Sequence, residues 1–71
     1  MIYYTKYAEE KFEILNKHKV FFTREQVEDA IATPEKSKRK GKYFTFQKDK
    51  LKVISQKDGE MIKIITFYPT K

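Results

Sequence analysis

From Tyr4 to Lys17 the apolar side chains recur at helical spacing. Tyr4, Ala8, Phe12 and Leu15 stand at i, i+4, i+8 and i+11, which places them on one stripe of a helix, and Tyr7 and Ile14 widen it. Thr5 is placed to cap the N-terminus. Glu13 and Lys17 have the spacing of an i,i+4 ion pair in the favourable order. Ahead of this helix, Met1–Tyr4 reads either as a short edge strand or as the lead-in to the helix.

A turn over Lys17–Val20 leads to a second helix with a double start signal. Thr23 at the cap position and Gln26 three residues on form a capping box, and Phe22 and Val27 flank it as a hydrophobic staple. Val27, Ala30 and Ile31 make its buried face. Pro34 ends it, because the residue before a proline is pushed out of the helical region.

Residues 35–41, EKSKRKG, carry no apolar side chain and read as a basic loop ending at Gly41. Three runs of alternating character follow. Lys42–Gln47 sets Phe44 and Phe46 against Tyr43 and Thr45, and Leu51–Gln56 sets Leu51 and Val53 against Lys52 and Ile54. Ile62–Tyr68 is the most apolar and reads as the central strand. Lys48–Asp49 joins the first pair, and Asp58–Gly59 joins the second, a strong hairpin signal. The expected architecture is α+β: two N-terminal helices packed on a three- to four-stranded antiparallel sheet, in one domain spanning residues 1–71.

Charge changes this picture by its placement. The 71 residues carry a net charge of +6. Residues 35–57 hold nine Lys/Arg against two acids, while residues 1–34 hold five against six and residues 58–71 hold two against two. A localised basic segment attracts polyanions, although a lysine-rich solvated surface would have the same composition. Cysteine is absent and His18 is the sole histidine, which argues against disulfides and structural zinc. No apolar run approaches the roughly 20 residues that span a bilayer. With no basic-then-apolar leader at the N-terminus either, a cytoplasmic protein without a membrane role is expected.

The candidate chemistry is cationic and aromatic. No nucleophile–histidine–acid pattern or glycine-rich phosphate loop is present, and the helical carboxylates read as solvated faces. RNA can be cleaved without metal by its own 2′-hydroxyl, provided that proton transfer and positive charge are placed around the phosphate. Lys, His, Arg and Tyr can serve that chemistry with no cofactor. The same residues also suit plain binding, with aromatic rings stacking on bases.

The string Lys17-His18-Lys19-Val20-Phe21-Phe22, leading into the capped helix, resembles the Lys-His-Gly-Val-x-Phe segment of BrnT-like toxins. Leu51-x-Val53 and Ile62-Lys63-Ile64-Ile65-Thr66 resemble their last two strands, and Thr66-Phe67-Tyr68-Pro69 resembles uncharacterised small relatives in the RelE-like superfamily. The resemblance implies a RelE-like fold and a toxin-type ribonuclease. It also implies RNA as substrate, on the ribosome or free of it, and an antitoxin as partner. His18 matches the family histidine, Lys63 falls where an arginine stands, and Tyr68 lies near the C-terminus, where some RelE-like nucleases use a tyrosine, so the resemblance makes these three the catalytic candidates. Two departures stand out: Lys19 replaces the glycine, and Phe67-Tyr68 stands where an arginine pair is expected. Lys38, Arg39, Lys40, Lys42, Tyr43 and Lys52 are the nucleic-acid-binding candidates. The alternative function is a non-catalytic RNA- or DNA-binding module, or a partner-binding protein on the same scaffold. For each candidate a plain structural role stays open: His18 as a helix-end cation, Tyr68 as edge packing, Lys52 and Lys63 as solvated strand positions.

Overall fold

The structure, a computed structural model, describes residues 2–70. Its elements are β1 (Ile2–Tyr4), α1 (Lys6–Lys17), α2 (Arg24–Ala32), β2 (Lys36–Lys40), β3 (Tyr43–Lys48), β4 (Leu51–Asp58) and β5 (Met61–Pro69). The α+β class is observed, with both helices against one face of the sheet. The sheet itself departs from expectation in size and direction. It has five strands in the order β1-β5-β4-β3-β2. It is mixed, because β1 runs parallel to β5 while the other pairings are antiparallel.

Two of the differences have one cause. The segment expected to be a basic loop is the strand β2, every residue of which is exposed. It is held by register with β3, from Lys36 opposite Gln47 to Lys40 opposite Tyr43, and not by burial. A strand that buries nothing leaves no apolar alternation in the sequence. With it the sheet centres on β4, and β5, the expected central strand, is an inner strand beside it. The residues of β1 form the short edge strand rather than a helix lead-in; Met1 lies outside the described residues.

Three two-residue turns close the meander. Gly41–Lys42 and Gly59–Glu60 each place glycine at φ +62°, and Asp49–Lys50 has both residues left-handed, at +49° and +65°. These turns match the right-handed twist of the strands they join. The expected Lys48–Asp49 and Asp58–Gly59 turns are therefore each displaced by one residue.

Both helix starts are capped as expected. The Thr5 hydroxyl accepts from the Ala8 amide at 3.2 Å. The capping box is reciprocal: the Gln26 amide donates to Thr23 Oγ1 at 3.1 Å, and the Thr23 amide to Gln26 Oε1 at 2.8 Å. The end of α1 is a Schellman motif. The Val20 amide reaches back to the Leu15 carbonyl at 2.8 Å, the Lys19 amide to Asn16 at 3.0 Å, and Lys19 itself sits at φ +61°. Glu13 and Lys17 form no ion pair; α1 is instead tied to α2 by Glu9 and Arg24 at 2.6 Å.

The core joins Ala8, Leu15, Val27 and Ala30 of the helices to Leu51, Val53, Ile64 and Phe67 of β4 and β5. Phe67 is 0% exposed, with Phe12 and Phe22 at 4.5 and 6.4 Å between ring centroids. Tyr7 and Ile14 do not widen the buried stripe: they are 67% and 47% exposed.

The helices are shorter than the strands they cover. Twelve residues of α1 span about 18 Å at 1.5 Å per residue. Nine residues of β5 span about 30 Å at about 3.3 Å per residue. The helix layer sits over the end of the sheet marked by Lys48, Leu51 and Phe67, and leaves the end near the Gly41 and Gly59 turns uncovered.

Candidate nucleic-acid interface

Strand alternation sends Leu51, Val53 and Ser55 into the helix side, so Lys52, Ile54 and Gln56 face the other way. The cross-strand register extends this into three rows. The first runs Lys40, Tyr43, Gln56, Lys63, Tyr3; the second Lys38, Thr45, Ile54, Thr66; the third Lys36, Gln47, Lys52, Tyr68. No helix covers this face. It presents five lysines and three tyrosines. Asp58, at one end of this face, pairs with Lys63 at 3.5 Å.

Two local features give the face chemical shape. The Lys52 ammonium lies 5.9 Å from the Tyr68 ring centroid across the β4–β5 pair, within cation–π range. Lys36, Lys38, Thr45, Gln47 and Lys52 surround a shallow hollow of about 190 Å³. Three ammonium groups and neutral donors around one hollow suit a phosphate. Lys36, Lys38, Lys40 and Lys52 form no ion pair with any described acid.

The expected site residues divide across the molecule. Lys38, Lys40, Tyr43, Lys52, Lys63 and Tyr68 share the open face. Lys42 lies in the turn beside it. Arg39 points to the opposite, helix-side face, where its guanidinium lies 5.5 Å from the Phe44 ring and its Nε donates to the Gly41 carbonyl at 3.2 Å. The four adjacent cations therefore do not act as one patch: a strand separates alternate residues. His18 is the exposed C-cap of α1, in the helix layer and away from the open face. Lys63 and Tyr68 lie opposite Gln56 and Lys52, which are four residues apart on β4, a separation of about 13 Å. The three catalytic candidates do not converge on one phosphate-sized point.

Lys36, Tyr3, Thr45, Gln47, Gln56 and Thr66 belong to the face and were missed as site residues. For Lys36 the signal was present, as Lys36, Lys38 and Lys40 stand at i, i+2 and i+4.

The groups whose protonation the fold shifts lie on the helix side. Burial, reinforced by Glu28, raises the Tyr4 phenol to about 12, and its hydroxyl donates to Glu28 Oε2 at 3.3 Å. The hydrogen bond from Lys48 holds Asp29 below the ordinary carboxylate range and raises Lys48 in turn. Among the described residues no three His, Cys, Asp or Glu side chains could hold a metal, and no helix is long and apolar enough to cross a membrane.

Fold and site together define a small α+β protein with a half-covered five-stranded sheet whose second face is open, basic and aromatic. No family model, curated protein or solved structure matches the chain.

Proposed function

We propose that this protein binds single-stranded RNA on the open face of its sheet. The observation that carries the reading is the convergence of Lys36, Lys38 and Lys52 around one hollow, with Tyr43, Tyr68 and Tyr3 on the same surface. Lysines track the phosphates without reading sequence, and tyrosine rings offer a stacking surface to any unpaired base. A duplex hides those base faces, so a single strand gains more from this surface.

The test is fluorescence anisotropy with a labelled RNA oligonucleotide over a range of salt, beside single-stranded DNA and duplex RNA. Four unpaired lysines predict a log–log salt slope of about −3, at about −0.7 per phosphate neutralised. Replacing Lys36, Lys38, Lys40 and Lys52 together by Gln flattens most of that dependence. Absence of binding at low salt by folded protein overturns the reading.

A second reading is the RelE-like, toxin-type ribonuclease that the sequence resemblance implies, with metal-independent cleavage and an antitoxin partner. It is favoured by the Lys52–Tyr68 pair, a phenol beside a cation on the surface where RNA would lie. Its measurement is cleavage of labelled RNA in the presence of a chelator. Intact RNA after long incubation with binding-competent protein leaves the binding module alone.

A further inference from the structure

The uncovered half of the helix-side face is not flat. It holds an open-mouthed cavity of about 510 Å³ whose walls come from β2 to β5 alone. Phe44, Phe46 and Ile62 form its apolar surface, each half-buried, with Phe46 and Ile62 also packed against the edge of the core. Arg39 and Lys57 stand on its rim, and no carboxylate lines it. Its size falls within the range of small-molecule sites, which combine apolar walls with a few placed polar groups.

Arg39 is already positioned for an anion. Its Nε is committed to the Gly41 carbonyl at 3.2 Å, and its guanidinium lies over Phe44. Its two Nη groups have no carboxylate partner among the described residues. A guanidinium fixed at one edge and open at the other presents a fork that matches carboxylate or phosphate oxygens.

We infer that this cavity binds a small amphipathic anion, with its carboxylate or phosphate on Arg39 and Lys57 and its apolar body on Phe44, Phe46 and Ile62. The cavity and the open face lie on opposite sides of the sheet and meet at the edge strand β2, whose Ser37 and Lys38 line both hollows. Arg39, Phe44, Phe46, Lys57 and Ile62 line the cavity and not the open-face hollow. An acyl carboxylate and an aromatic phosphate share the required chemistry.

The experiment is a titration of ¹⁵N-labelled protein followed by amide shifts, using decanoate and adenosine monophosphate as the two anionic probes. Decyltrimethylammonium and inorganic phosphate serve as controls for charge and body. Saturable shifts centred on Phe44, Ser55 and Ile62 with either anionic probe support the inference, and the probe that binds names the source. Arg39→Gln then weakens that probe about tenfold or more, the usual effect of losing a charge-assisted hydrogen bond, and Arg39→Lys restores part of it. Because Arg39 is exposed, the amide spectrum of the variant verifies its fold. No saturable shift at the cavity with either probe overturns the inference. So does equal binding of the cationic amphiphile, or of phosphate alone.

Discussion

Lys52 and Tyr68 face each other across the β4–β5 pair, with the ammonium 5.9 Å from the ring centroid. On the proposed RNA-binding reading, the pair joins a charge for phosphate to a ring for base stacking. Tyr68→Ala removes the surface and lowers RNA affinity about tenfold, within the range of base–aromatic stacking. Tyr68→Phe retains the ring and the affinity. If the phenol also moves a proton, Tyr68→Phe stops cleavage while leaving binding intact, so anisotropy and a chelated cleavage assay on one variant separate the two functions.

Lys19 takes a left-handed backbone at the C′ position of α1, where a side chain is strained and glycine is not. Lys19→Gly therefore stabilises the fold by about 1 kcal/mol, within the cost of a left-handed L-residue. Thermal melting reads this as a rise of about 4–8 °C for a chain of this size. An unchanged or lowered midpoint contradicts the strain argument.

Phe67 closes the core between Phe12 and Phe22. Phe67→Ala costs about 3–5 kcal/mol by lost transfer energy and cavity formation. A domain of this length has roughly 4–10 kcal/mol in total. Urea titration shows the midpoint of the variant lowered by roughly a third or more, whereas Tyr7→Ala, at an exposed position, leaves the midpoint nearly unchanged.

The Lys48–Asp29 ion pair, at 2.7 Å, joins β3 to α2. Asp29 has its folded pKa depressed, so its contribution is present above its unfolded pKa and disappears as pH falls through the folded value. Lys48 has its folded pKa raised, so the same contact is present below the ordinary lysine value and disappears at higher pH. The pair operates from about pH 4 to about pH 10. Asp29→Asn lowers the melting midpoint within that window, and the difference from wild type shrinks below pH 4. A constant offset down to pH 2 contradicts this assignment.

What the sequence disclosed follows from what each element buries. Both helices, their Thr5 and Thr23 caps and the stop before Pro34 were legible because side-chain spacing and capping chemistry are local. Phe44, Leu51 and Val53 marked their strands by alternation. β2 left no such mark, since backbone pairing to β3 holds it and Lys-Ser-Lys-Arg-Lys has the composition of a loop. The parallel pairing of Ile2–Tyr4 with Ile62–Ile64 was hidden for another reason: it is a contact across nearly the whole chain. The site was legible as a set of residue types, and Lys38, Lys40, Tyr43, Lys52, Lys63 and Tyr68 do share a face. Arg39 and His18 were separated from it by strand alternation and by the helix layer, neither of which composition reveals.

The core draws four buried residues from the helices and four from β4 and β5, and the basic hairpin between them adds only the half-buried Phe46. During synthesis α2 can meet Leu51 and Val53 once β4 has been made, whereas α1, which packs on β5, keeps its apolar stripe unmet until Ile64 and Phe67 follow. Such long-range closure slows folding, because the intervening chain must be ordered before its contacts reward it. A chain halted before β5 would lack Ile64 and Phe67, half of what the sheet gives the core, and would leave α1 without the strand it packs on.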